Sequence, residues 1–216
     1  MAKYFNYFPK TLYTANNSTT ALDSVTNIIA RFAFENSLKQ NSAAFYPYQI
    51  QESDTPEIIA HKYYGNSERH WIVLLFNDII DPQFDWPLKY DTFIEFVDQK
   101  YSANGAANTT PVSGLSWAMN VNNVQGYFKI ITTTGNDGTQ SITKLQIDAN
   151  TYANVAASTN NYVTANNETV TITVTKETQT YYDYEMAENE AKREIKLLKP
   201  EFVPAVEKEF KRIVKQ

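Results

Sequence analysis

The chain has 216 residues, a formal charge of -5, 43% hydrophobic residues and no cysteine. That length holds one large or two small domains with a real hydrophobic core. The acidic balance argues against a nucleic-acid partner, and without cysteine there is no disulfide framework, thiolate nucleophile or thiolate metal site.

Residues Lys3–Thr14 are rich in aromatic side chains and contain Pro9, which predicts an extended arm or edge strand. Ala21–Gln40 then sets Leu22, Val25, Ile28, Ile29 and Phe32 at helical spacing, with Asp23 or Ser24 near its start, and predicts a helix. No glycine-rich linker separates this segment from the next one.

Tyr48 and Ile50 alternate with Gln49 and Gln51, the pattern of a short half-buried strand. Asp54 or Thr55 caps a following helix, Pro56 suits its first position, and Glu57 complements the positive end of its dipole. Ile58, Ile59 and Tyr63 supply its apolar face, and Gly65 is free to take the left-handed turn that ends it. Asn66 or Ser67 starts a second helix, whose Trp71, Leu74 and Leu75 are joined by Ile72, Val73 and Phe76 in a nearly encircling apolar surface. Such a helix belongs at the centre of a module, and Ile58, Ile59, Trp71, Leu74 and Leu75 are its predicted core. Asp91 caps a further helix bearing Phe93, Phe96, Val97 and Tyr101.

From Ser102 to Thr175 the charged residues reduce to Lys129, Asp137, Lys144, Asp148 and Glu168. Threonine, asparagine, serine and alanine dominate there, and strands are predicted at LSWAMNV, GYFKIITTT, SITKLQID, YVT and ETVTITVT, with GNDG as a hairpin turn. A small antiparallel β-domain follows. Glu185–Lys192 predicts a short helix or turn, and Ile195 and Leu197 share one face of a strand within Arg193–Lys199. A last helix, starting at Pro200 or Pro204, carries Phe202, Val206, Phe210, Ile213 and Val214.

The order strand, Asp-Thr, Ile-Ala, Tyr-Gly, Trp, Asn over Tyr48–Pro82 resembles a LysM module, a small βααβ domain known for binding N-acetylglucosamine-containing glycans. More specifically, IIAHKYYGNSERHWIVLLFNDIIDPQFDWPL, with YFNYFPKT and NEAKREIKLLKPEFV near the ends, resembles the baseplate wedge subunit of T-even-like contractile-tailed bacteriophages. The fold class expected is α+β: a LysM-like βαα(β) core, extended terminal segments and an inserted antiparallel β-domain. The expected division is 1–47 for an arm and helix, 48–101 for the core and its following helix, 102–180 for the insertion and 181–216 for the return strand and last helix.

The phage resemblance implies a structural role in the virion, assembled in the host cytoplasm, with other baseplate wedge proteins and neighbouring wedges as partners. Tyrosine combines an apolar face with a polar tip and suits interfaces. Tyr4, Phe5, Tyr7 and Phe8 at one end, and Tyr181, Tyr182 and Tyr184 at the other, are the candidate anchors. The LysM resemblance implies an alternative, a peptidoglycan-binding module whose groove would use Asp54, Thr55, Asn77 and Asp78. Ser53 stands where such modules usually carry glycine, and no second strand follows the two helices locally.

Catalytic chemistry is not expected. His61 and His70 lack the further ligands of a zinc site, and Asp78, Asp81 and Asp85 lack the glycine and final glutamate of a calcium loop. The sequence has no nucleophile elbow, phosphate-binding glycine loop or dinucleotide fingerprint. No cofactor is expected, and no apolar run is long enough to predict a membrane span.

Overall fold

The computed structural model describes residues 8–14, 22–27 and 33–214. It divides into two compact units, Met1–Lys89 with Glu190–Gln216, and Tyr90–Asn189, so the second unit interrupts the first in sequence. Both contain helices and strands, an α+β composition.

The first unit starts with β1 (Lys10–Tyr13) and β2 (Asp23–Thr26), an antiparallel two-stranded ribbon. The predicted helix over Ala21–Gln40 is therefore corrected at its start. Asp23, Ser24 and Thr26 are indifferent helix formers, and Val25 fits a strand once Thr11 lies opposite it. Ile28, Ile29 and Phe32 lie outside the described residues. Among the described residues of that span, helix survives in α1 (Asn36–Gln40).

β3 (Phe45–Gln49) leads into α2 (Pro56–Tyr64). Thr55 is the cap, accepting the Ile58 N–H, and Gly65 ends the helix at φ 67°, a conformation open to glycine without a Cβ penalty. Asn66 accepts the Glu68 N–H at the start of a 3-10 turn over Ser67–Arg69, and α3 (His70–Phe76) follows directly. A short α4 (Pro82–Asp85) is capped by Asp81.

The second unit opens with α5 (Tyr90–Lys100), α6 (Ser102–Ala106) and α7 (Gly114–Ala118). The predicted strand LSWAMNV is thus mostly helix. Ser113 caps it through the Ser116 N–H, and the Asp98 carboxylate of α5, distant in sequence, accepts the Leu115 N–H, two bonds that a strand would forgo. Gly114 sits so close to α5 that an added Cβ would lie 2.1 Å from the Asp98 carbonyl oxygen.

Next come β4 (Val124–Thr134), β5 (Gln140–Ile147), α8 (Ala149–Asn154), β6 (Ser158–Val163) and β7 (Thr169–Thr180). They form one antiparallel sheet in the order β5-β4-β7-β6. Its first hairpin turns at Gly135–Gly138, where Gly138 has φ 81° and the Gly135 N–H donates to the Thr139 carbonyl. α9 (Tyr181–Ala191) then starts without a break, earlier than its charged residues suggest, because Thr180 and Asp183 exchange hydrogen bonds across its first turn.

β8 (Glu194–Leu198) returns to the first unit and pairs antiparallel with β3, Tyr48 opposite Ile195 and Tyr46 opposite Leu197. A 3-10 turn over Pro200–Phe202 precedes α10 (Val203–Val214), with Pro204 in its first turn, where no helical N–H bond is lost. Ile50, Ile59, Tyr64, Ile72, Val73, Phe76, Leu197 and Val203 belong to one buried cluster that α2 and α3 make against the β3–β8 pair. Each fully buried aliphatic side chain there contributes about 1.5–3 kcal/mol.

Candidate protein interface

The loop between β3 and α2 is built around Asp54, whose side chain is fully buried. Its carboxylate accepts from the Tyr48 hydroxyl at 2.5 Å, the Lys62 ammonium at 2.7 Å and the Gln51 N–H at 3.1 Å. Burial works to raise its pKa, but the bonds from Lys62, Tyr48 and Gln51 outweigh it and hold Asp54 below the ordinary carboxylate range. Tyr48 is pushed up in turn, first by burial and then by the same carboxylate. The Trp86 indole closes the node by donating to the Asp54 carbonyl at 3.2 Å.

Asn77 ties α3 to the edge of β8. Its amide nitrogen donates to the Val73 and Lys196 carbonyls, both at 2.8 Å, while its amide oxygen accepts the Lys196 N–H at 2.7 Å. The side chain thereby completes the ladder as a short neighbouring strand would. Asp78, at φ 57°, pairs with the buried Lys39. Each of the four polar residues that the LysM resemblance assigns to a sugar is thus engaged in holding its own loop or helix: Asp54 and Thr55 at the start of α2, Asn77 and Asp78 at the end of α3.

The predicted module core is distributed differently around its helices. Ile59 is buried, whereas Ile58 is 41% exposed. On α3 the buried residues are Ile72, Val73 and Phe76, and Trp71, Leu74 and Leu75 are half-buried. A helix that is apolar nearly all round does not reveal by periodicity which side meets the sheet.

Among the candidate anchors, Tyr4, Phe5 and Tyr7 lie outside the described residues. Phe8 is buried edge-on against Phe210, with ring centroids 6.1 Å apart, and Trp71 packs on the other side of Phe210 at 4.7 Å. Tyr181, Tyr182 and Tyr184 are half-buried in the first turn of α9. Tyr181 contacts Trp117 at 5.0 Å and Tyr101 at 5.3 Å, and Tyr182 meets Phe93 at 5.7 Å. Below them the buried Glu185 accepts from Lys100 at 2.6 Å and from the Tyr101 hydroxyl at 2.7 Å. Burial and this carboxylate push the Tyr101 pKa up. These rings join α9 to α5 and α7 inside their own unit, an arrangement that required knowing that three separate segments fold as helices.

Other apolar surface is open. In the first unit, α1, α3 and α10 border a groove of about 840 Å³ whose lining includes Phe34, Leu38, Trp71, Leu75, Phe210 and Ile213. Its signal in the sequence is the excess of apolar residues on α3 together with the stripe Val206, Phe210 and Ile213 of α10. Ile80 and Phe84, 72% and 68% exposed, project from the segment after α3.

Among the described residues no group of three His, Asp or Glu side chains is placed to hold a metal ion. No helix among them is long and apolar enough to cross a membrane.

A family model described as base plate wedge protein 53 matches residues 3–213. A stretch of 58 residues is 34% identical to the baseplate wedge protein gp53 of Enterobacteria phage T4. That stretch covers 27% of this chain and 30% of the relative, under a third of the relative's length.

Proposed function

The chain belongs to the base plate wedge protein 53 family, and on that premise we propose that it joins wedge proteins and links neighbouring wedges while the baseplate assembles in the host cytoplasm. As a family member it is a structural protein of the phage tail baseplate, in contact with other baseplate proteins. The observation that carries the finer reading is the extent of the family match, residues 3–213, which takes in both units and both terminal segments.

The architecture supports a connecting role. We read β3, α2, α3 and β8 as a LysM-like βααβ core put to structural use, its sugar-facing positions given over to internal bonds. The groove beside α10, and the segment carrying Ile80 and Phe84, supply apolar surface in the same unit. Several modest contacts on one chain add up to firm attachment when they are engaged together. Tyr4, Phe5 and Tyr7 remain proposed anchors of the N-terminal arm.

The test is assembly without the chain. Infection with phage lacking this gene is expected to accumulate wedge-sized intermediates on sedimentation, with complete baseplates restored by the wild-type chain. Complete baseplates in its absence would overturn the reading.

A further inference from the structure

The sheet of the second unit has two unlike faces. Strand register puts Phe128, Ile130, Thr132, Ile142, Lys144, Val163, Thr173 and Glu177 on one of them. There Lys144 pairs with Glu177 at 3.3 Å and lies over the Phe128 ring, and Thr171 and Thr159 bond to Asn161 and Thr173 across the β6–β7 pair. That face is mostly polar and bonded through its own side chains, with Ile142 and Val163 exposed only on the two edge strands.

The opposite face carries Leu145, Ile131, Val174, Ile172, Val170 and Tyr162, a diagonal apolar stripe across all four strands. Tyr152 of α8 covers one end of this face, its ring tilted against Tyr127 at 4.9 Å. The ends of the stripe stay open, Leu145 45% and Tyr162 52% exposed, and the four residues between them are half-buried. Neither buried hydrophobic cluster among the described residues includes any residue of the sheet. A sheet with one apolar face ordinarily buries it under a second layer.

The charges on this face say what kind of layer is missing. Lys129 of β4 stands directly opposite Lys176 of β7. Like charges in that position are destabilising. Lys176 donates to the Tyr152 carbonyl at 3.1 Å, while Lys129 has no hydrogen-bond or ion-pair partner among the described residues. The strands present no carboxylate on this face. Asp148 is occupied in capping α8, and Glu168 lies in the β6–β7 turn, at the end of β7 away from Lys176. A second copy of the chain laid face to face would bring four lysines together without an acid, which disfavours self-association.

We propose that this face of the β5-β4-β7-β6 sheet docks against another baseplate protein, one that presents an apolar surface ending in an Asp or Glu carboxylate, which sits between Lys129 and Lys176. The proposal rests on the baseplate reading and deepens it by naming the surface and the partner's chemistry. The contact turns a repulsive pair into a bridged one, so the strain is relieved only in the complex.

Carbodiimide treatment of purified particles, which joins lysine amines to carboxylates in direct contact, is expected to link Lys129 or Lys176 to an Asp or Glu of a different protein. Lys129→Glu converts the like pair into an ion pair. It is expected to raise the Tm of the free chain while lowering its incorporation into particles on the order of ten-fold. Lys129→Gln is expected to show the same split more weakly. Normal incorporation of both variants, or cross-links only to a second copy of the chain, would overturn the proposal. Absence of the wild-type chain from purified particles would instead defeat the baseplate reading itself, so the two failures are distinguishable.

Discussion

The β3–β8 pair of the first unit is covered by α2 and α3 and buries Ile59, Ile72, Phe76 and Leu197, whereas the four strands of the second unit contribute nothing to either buried cluster. In the first unit stability is concentrated in a few side chains that have left water. In the second unit's sheet it is spread over a continuous backbone ladder, cross-strand threonine contacts and one exposed ion pair. Neighbouring parts of one chain therefore answer to different substitutions, and the exposed sheet keeps its apolar face for something outside itself.

The largest contrast is between a core ring and a face residue. Phe76→Ala is expected to cost about 3–5 kcal/mol in denaturant unfolding, the range for emptying a buried aromatic site. Ile131→Ala is expected to cost the free chain about 1 kcal/mol, because the side chain is only half-buried. Equal losses would erase the distinction between a buried core and an open sheet.

Next in size is Gly114→Ala. Its methyl group would collide with the Asp98 carbonyl, and the strain is expected to cost about 1–3 kcal/mol, read as faster amide exchange in α5 and α7. Exchange slowed as little in α2 and α3 as before would show that the damage stays in the second unit.

A smaller effect is acid sensitivity at Asp54. Its folded pKa lies below the unfolded value of about 3.9, so the folded state binds fewer protons there than the unfolded chain. Its stabilisation is complete above that value and is lost as pH falls through the depressed folded one. Asp54→Asn should flatten this part of a stability profile. A profile of unchanged slope below pH 4 would show that Asp54 is not its source.

The smallest effect is expected at Tyr64. Its hydroxyl is buried and makes no hydrogen bond of normal geometry to the described residues. Tyr64→Phe should change stability by no more than about 0.5 kcal/mol, or raise it, since removing an unsatisfied group loses no bond. A clear loss in calorimetry would mean that the hydroxyl has a partner after all.

Much of the first unit was legible in sequence because its signals are local. Thr55, Pro56 and Gly65 bracket α2, and alternation of Ile195 and Leu197 marks the strand that returns to β3. Other features depended on partners distant in sequence. Val25 reads as helical until Thr11 is placed opposite it, and Leu115–Ala118 reads as strand until the Asp98 carboxylate reaches the Leu115 N–H. The same limit applied to the candidate anchors: Tyr181 and Tyr182 resemble a surface cluster in sequence, yet Trp117, Tyr101 and Phe93 close around them. Nothing in the local sequence announces that Lys129 and Lys176 face one another, because register is a property of two strands.

The pairing of β3 with β8 also sets an order of events during synthesis. The whole inserted unit is made between β3 and β8, so β3 waits as an unpaired edge with its neighbouring apolar residues uncovered until Glu194–Leu198 follows. The entropic penalty of holding so long a loop closed grows only logarithmically with its length, so the delay is mainly one of time. A chain cut short before β8 would expose Ile59, Ile72 and Val73 and be open to aggregation or proteolysis. A chain that lacks β8 therefore cannot close its first unit.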